Sequence, residues 1–155
     1  MTISGNEPSE ASALKLDEFL CFSVYSANLA FNRVYQPLLR ELNLTYLQFI
    51  AMIVLWAEND LTVGELGARL YLQSNTLTPM LKRLESLDYV ERRRDEFDER
   101  QVRISLTAKG HKAQAKASEI ICCVREATGL GPKQMTQLLR HMRDLRRSLE
   151  NRALD

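Results

Sequence analysis

From Leu14 to Leu42 the apolar residues recur three and four positions apart, through Leu16, Phe19, Leu20, Val24, Ala27, Phe31, Val34 and Leu38. That is the period of one helix face, and Pro37 is expected to kink this helix or split off its last turn. Thr45 and Gln48 form a capping box that opens a mostly apolar helix from Tyr46 to Glu58. A helix apolar on most sides must be covered on most sides, so it is expected at the centre. Thr62 and Glu65 form a second capping box, opening a short helix that ends near Leu70. Ser74 then caps another helix through Leu77, Met80, Leu81 and Leu84 to Leu87. Two short helices joined by a tight turn make a helix-turn-helix. Pro79 falls inside the second and forfeits one backbone bond, a cost that a start nearer Thr76 would remove, so its first turn stays open.

After Leu87 the period changes. Tyr89 to Arg93 and Gln101 to Leu106 alternate, with the turn-prone DEFDER segment between them, and read as a hairpin. Thr107 caps a helix to about Thr128, the Gly129 to Pro132 break follows, and a last amphipathic helix carries Met135, Leu138, Leu139, Met142, Leu145 and Leu149. The fold class expected is mainly α with a small β-wing, a winged helix-turn-helix joined to terminal helices. Residues 1–13 read as a flexible tail, 14–45 and 107–153 as a helical dimerisation region, and 46–106 as the winged helix-turn-helix lobe.

Composition narrows the function. A chain of 155 residues, 45% hydrophobic and 26% charged, is one domain's worth of globular protein, too apolar for a disordered tail. The longest apolar stretch, Phe49 to Ala57, is roughly half a membrane span, and Met1 to Ser12 shows no basic or apolar targeting pattern. A cytoplasmic protein without a membrane partner is expected. The net charge of +1 hides an asymmetry: residues 1–61 hold three Lys/Arg against seven Asp/Glu, and residues 62–155 hold 18 against 13. An anionic partner would therefore dock on the second part.

A helix-turn-helix followed by a ribbon is a DNA-reading layout, in which one helix enters the major groove and the wing reaches the backbone or minor groove. Gln73, Ser74, Asn75, Thr76 and Thr78 offer hydroxyl and amide groups at the helix start, where base edges lie. Lys82 and Arg83 follow where phosphates pass. The wing carries Arg92, Arg93, Arg94, Arg100 and Arg103, and an arginine at a ribbon tip suits a narrow minor groove. Asp95, Glu96, Asp98 and Glu99 nearly cancel them. One role for Asp98 is to hold Arg100 in place by a local ion pair. The competing reading is a solvated charged hairpin.

The stretch LTVGELGARLYLQSNTLTPMLKRLESLDYVERRRDEFDERQVRISLTAKG resembles the MarR family of winged-helix repressors. Asp98 and Arg100 at the wing tip, and the closing Leu106, Thr107 and Gly110, carry the likeness, which spans roughly residues 14–150. SNTLTPMLKRLE is similar to one branch of that family, the organic hydroperoxide resistance regulators. The resemblance implies a homodimer built from the terminal helices, with two winged helices below that bind double-stranded operator DNA.

Three cysteines are no disulfide framework. Tyr25 lies one turn beyond Cys21 on the same face, whereas Tyr35 is about 21 Å along a straight helix. Tyr35 could meet Cys21 only across a two-fold axis from a second copy. Phenol donors there would stabilise a thiolate and make it a better nucleophile toward a peroxide. From the residues alone Cys21 reads equally as a small core hydrophobe and the tyrosines as core aromatics. The resemblance implies the other role: Cys21 as the reactive cysteine, with Tyr25, Tyr35 and Tyr46 as its tyrosines. Phe19, Phe22 and Phe49 are candidate walls of an apolar pocket.

The stripe Ala113, Ala117, Ile120 and Val124 places Cys122 on the opposite side of its helix and Cys123 on the flank. The two-cysteine branch closes an intersubunit disulfide from a cysteine near this helix's end, about a turn further on, where this chain has Glu126. Whether Cys122, Cys123 or neither resolves an oxidised Cys21, or a low-molecular-weight thiol does so, is open.

His111 and His141 give no metal-ligand spacing with the cysteines, and both read as surface residues. No cofactor is implied. The expected function is a repressor, not an enzyme, that leaves its operator when an organic hydroperoxide oxidises Cys21. One alternative is a MarR-type repressor released by a small aromatic ligand bound without covalent chemistry. A thiol peroxidase is the other, disfavoured because strand signals occur only at the wing.

Overall fold

Both capping boxes form and fix where the central helices start. In the computed structural model, which describes residues 15–152, the Thr45 hydroxyl accepts from the Gln48 amide while the Gln48 side chain accepts from the Thr45 N–H. Thr62 and Glu65 repeat the exchange. The tail expected over 1–13 lies outside the described residues, as do residues 14 and 153.

The elements run α1 (Leu20–Leu39), α2 (Tyr46–Ala57), β1 (Leu61–Thr62), α3 (Val63–Leu70), α4 (Ser74–Ser86), β2 (Val90–Arg94), β3 (Val102–Leu106), α5 (Ala108–Ala127) and α6 (Pro132–Arg152). The long first helix is shorter than its pattern predicts. A separate turn of 3-10 helix at Leu16–Glu18 precedes it, and another at Arg40–Leu42 follows. Pro37 sits in the last turn of α1, where it lacks the N–H that would meet the Arg33 carbonyl, and Asn43 ends the segment in the left-handed region at φ 52°.

One correction falls on α4. Gln73, not Ser74, is its capping residue: extended at φ −81°, it takes the Thr76 and Leu77 amides on its carbonyl and makes no side-chain cap. Ser74 is the first helical residue, so Pro79 is the sixth. The carbonyl that Pro79 fails to meet belongs to Asn75, an exposed residue, where water can satisfy it at little cost.

The sheet has order β1-β3-β2, all antiparallel. Its hairpin is the expected wing, with Val90 opposite Leu106 and Arg94 opposite Val102. β1 escaped the sequence pattern because two residues cannot show an alternation. It pairs Leu61 with Ile104 and anchors the wing to the start of α3.

α2 lies at the centre, with Phe49, Ala51, Met52 and Leu55 fully buried against Leu39, Leu66, Leu81, Leu84, Ile104 and Ile120. Three polar contacts pin its surroundings. Trp56 Nε1 donates to the Gly110 carbonyl at 2.9 Å, Tyr89 Oη to the Leu42 carbonyl at 2.8 Å, and Thr107 caps α5 by accepting from the Gly110 N–H. Gly110 is required there, since a Cβ would sit 2.1 Å from the Tyr89 carbonyl oxygen.

α6 buries none of its residues, and Leu138, Leu139, Met142 and Leu149 stay exposed along it. α1 likewise exposes Leu20, Val24, Leu29, Phe31 and Val34. No single described helix is long and apolar enough to cross a membrane. The bent pair α1–α2 passes that test by length and composition, but α2 is spent on the core.

Candidate nucleic-acid interface and thiol site

Leu77, Met80, Leu81 and Leu84 bury one side of α4 in the core. The other side therefore carries Gln73, Ser74, Asn75, Thr76, Thr78, Lys82 and Arg83, all exposed. Thr78 Oγ1 donates to the Ser74 carbonyl at 2.8 Å, which ties its hydroxyl to the helix. A cleft of about 430 Å³ separates this face from the wing, with Ser74 and Thr78 on one wall and Arg92, Arg100 and Gln101 on the other. Arg83 lies at a second cleft of about 680 Å³ together with Arg33 and Arg40, two arginines that the sequence pattern did not single out.

The wing sorts its arginines into two kinds. Arg92 pairs with Glu85 at 2.9 Å, Arg93 with Asp60 at 2.9 Å, and Arg103 with both Asp60 and Asp95. These three hold the ribbon to the lobe. Arg94 and Arg100 are exposed, and neither forms an ion pair among the described residues. Of the wing's acidic residues, Asp95 and Asp98 are built into the frame, whereas Glu96 and Glu99 are exposed. Asp95 accepts from the Phe97 and Asp98 amides, and these bonds with Arg103 hold its carboxyl below the usual range.

Asp98 positions Arg100, but not by the expected ion pair. Its carboxylate accepts from the Arg100 backbone N–H at 3.1 Å and from Gln101 Nε2 at 3.1 Å, which fixes the turn and leaves the guanidinium unpaired. The residue that sequence reasoning missed is Asp60. Hydrogen bonds from Arg93, then Arg103 and Ser105, hold its carboxyl down to about 2, against the opposing effect of desolvation. Its partners lie some 30 to 45 positions along the chain, so no local pattern betrays it.

The three cysteines are free thiols. Cys21 is exposed on the first turn of α1 and opens into an apolar cleft of about 770 Å³. Leu20 and Val24 line the α1 side of the cleft, and Leu139, Met142, Arg143, Leu145, Arg146 and Leu149 line the α6 side. Tyr25 is exposed, its ring 6.3 Å from that of Phe22. Tyr35 and Tyr46 meet at the far end of α1, with ring centroids 4.7 Å apart, and Phe49 lies 5.7 Å from Tyr35. One chain therefore gathers Tyr35 and Tyr46 and leaves Cys21 and Tyr25 elsewhere. Phe49 belongs to the core rather than to the Cys21 cleft, because central α2 turns it inward. Burial raises the pKa of Tyr35 and Tyr46, Tyr35 further through its neighbour, so both phenols remain protonated donors.

Cys122 is half-buried although it sits away from the core stripe. Its cover comes from its own helix: Arg125 Nη2 and Glu126 Oε1 each lie 3.8 Å from the sulfur. Cys123, on the flank, is exposed, as are His111 and His141. Among the described residues no group of three His, Cys, Asp or Glu side chains could hold a metal ion.

Comparison with known proteins agrees with this architecture. The family model described as transcriptional regulator SarA/Rot matches residues 33–117. The chain is 46% identical over 138 residues to the HTH-type transcriptional regulator TtmR of Methylorubrum extorquens, covering 89% of this chain and 71% of that protein. It is 47% identical over 107 residues to the organic hydroperoxide resistance transcriptional regulator of Bacillus subtilis, covering 69% and 73%. Reduced AbfR bound to DNA, AbfR being a protein of Staphylococcus epidermidis, superposes with a TM-score of 0.75 at 35% identity, covering 85% and 90%. Its disulfide form superposes with a TM-score of 0.62 at 37% identity, covering 81% and 88%. Sequence likeness over most of the chain and superposition of the fold agree: the chain belongs to the MarR family of winged helix-turn-helix transcriptional regulators.

Proposed function

We propose that the protein is a homodimeric repressor that holds its operator while Cys21 is reduced and leaves it when an organic hydroperoxide oxidises Cys21. The observation that carries this reading is the free Cys21 thiol opening into an apolar cleft, the setting that admits an alkyl hydroperoxide. The likeness to a relative named for organic hydroperoxide resistance supports it, while AbfR, seen on DNA both reduced and overoxidized, supports the DNA partner alone. The Cys21 thiolate attacks the outer peroxide oxygen, the O–O bond breaks, and the hydroperoxide leaves as its alcohol. The resulting sulfenic acid condenses with a second thiol and releases water. That thiol is Cys122 or Cys123 of a second copy, or a low-molecular-weight thiol. Tyr35 and Tyr46, protonated and paired, donate to the thiolate of the other subunit, and Tyr25 flanks it. Residues 14–45 and 107–153 build the dimer, and 46–106 the DNA-binding lobe.

On DNA, Gln73, Ser74, Asn75, Thr76 and Thr78 face base edges, and Lys82 and Arg83 face phosphates. Arg94 and Arg100 carry the wing, Arg100 held at its tip by Asp98. Two recognition helices must match the half-site spacing of B-DNA, so rearranging the terminal helices lowers affinity.

The test uses an operator selected by the reduced protein from a random duplex pool. One equivalent of cumene hydroperoxide is expected to weaken binding at least tenfold in wild type and not in Cys21→Ser. The Cys122→Ser and Cys123→Ser variants on a non-reducing gel name the resolving thiol. Release of Cys21→Ser by the hydroperoxide sinks the reading. Release of that variant by an aromatic acid, reversed on dialysis, would put the non-covalent ligand in its place. Many turnovers per dimer with a thiol reductant would make it a peroxidase.

A further inference from the structure

Arg146 belongs to two places at once. With Leu145 and Leu149 it lines the cleft into which Cys21 opens. Its guanidinium carbon also lies 4.5 Å from the centroid of the Tyr71 ring. An i,i+4 pair with Glu150, at 3.6 Å from Nε, braces it on α6. Tyr71 is the residue that ends α3, three positions ahead of the first residue of α4. We propose that Arg146 couples the Cys21 cleft to the recognition helix through its stack on Tyr71. This rests on the reading of Cys21 given above and names the route by which the thiol reaches the DNA-binding face.

The turn is built to transmit a displacement. Tyr71 holds the left-handed conformation, φ 56° and ψ 37°, which residues other than glycine adopt uncommonly. Its N–H and that of Leu72 both reach the Gly67 carbonyl. Gly67 packs so tightly that a Cβ there would lie 2.8 Å from Leu77 Cδ1 and 2.9 Å from the Leu72 carbonyl oxygen. Turn and helix start are therefore closely coupled, and a pull on the Tyr71 ring strains the amide hydrogen bonds of the turn and of the first residues of α4. α6 is the opposite kind of element. None of its residues is buried within its own chain, so few contacts tie it to its own lobe and the Arg146 stack is one of them. A group added to the Cys21 sulfur occupies the space in front of Leu139, Met142 and Leu145 and displaces the half of α6 that carries Arg146. The attraction of a cation to an aromatic face weakens as the two separate, so the Tyr71 ring is drawn after Arg146.

The experiment attaches N-ethylmaleimide to Cys21 in the full chain carrying Cys122→Ser and Cys123→Ser, and reads amide hydrogen exchange over residues 70–78. Alkylation is expected to raise exchange there severalfold in this parent and in Tyr71→Phe, which keeps the ring. Arg146→Met and Tyr71→Leu are expected to abolish the rise, with unchanged circular dichroism and melting. Exchange that stays flat in the parent, or rises equally in those two variants, overturns the coupling. Operator release by cumene hydroperoxide, measured in chains that keep all three cysteines, separates the two proposals. Release from wild type that drops at least tenfold in Arg146→Met and Tyr71→Leu supports both. Equal release from all three discards the coupling and leaves the redox reading standing. A wild type deaf to hydroperoxide, whose alkylated parent still loosens residues 70–78, discards the redox reading and keeps the coupling.

Discussion

Asp60 does the work of several residues. It sits at φ 61°, takes Arg93 and Arg103 on its carboxylate and also accepts from Ser105, so that the wing is clamped to the turn before α3. A carboxyl held at about 2 stabilises the fold fully at pH values above the ordinary carboxylate range, and that contribution is lost as pH falls toward 2. Asp60→Asn removes the charge and keeps a residue type that tolerates a left-handed backbone. Its melting temperature is expected to lie several degrees below wild type at pH 6, with the gap closing between pH 4 and pH 2. Thermal melts across that range check it, and a constant gap would mean that the charge is idle. Asp60 also marks the limit of sequence reading. Thr45, Gln48, Thr62 and Glu65 were legible because a capping box closes within three residues, whereas Asp60 meets Arg103 across 43 positions. The start of α4 lies one place from its sequence signal for a related reason: Gln73 caps with its backbone, which any residue can do.

Among the elements, α5 depends on how closely its first turn approaches the strand behind it. Gly110 rests on the Tyr89 backbone, and Trp56 uses the Gly110 carbonyl as its acceptor. Gly110→Ala is therefore expected to cost about 3 kcal/mol, the upper end for overpacking, because the obstructing atom is backbone and cannot rotate away. Gly64, at the start of α3, has only the Thr62 hydroxyl at 4.0 Å. Gly64→Ala is expected to gain about 0.5–1 kcal/mol from helix propensity. Urea unfolding of both variants measures the contrast, and equal effects would refute the close approach. The closing glycine was visible in the sequence as a family mark. Its reason was not, since the contact is made by Tyr89, twenty-one positions earlier.

At the scale of the molecule the apolar faces of α1 and α6 stay exposed within one chain, and on the proposed assembly a second copy covers part of them. Tyr35 and Tyr46 sit far from Cys21 in one chain, so the sequence shows the proposed thiol site only as spacing, and on the proposed assembly a second copy completes it. Leu139→Glu together with Met142→Glu is expected to turn the dimer into a monomer in sedimentation velocity at micromolar concentration. The lobe centred on α2 should keep its near-ultraviolet signal, since neither residue belongs to its core. A dimer that survives both charges would move the interface elsewhere.

That same exposed α6 carries a consequence for dosage. A helix with no buried residue finds its hydrophobic partner only when another chain arrives, so on the proposed assembly the active species grows with the square of the free chain at low abundance. Halving the supply of chain in that regime leaves about a quarter of the active species, as it does for any species formed from two chains. Growth that dilutes the protein would then lift repression more steeply than the dilution itself, before any peroxide has appeared.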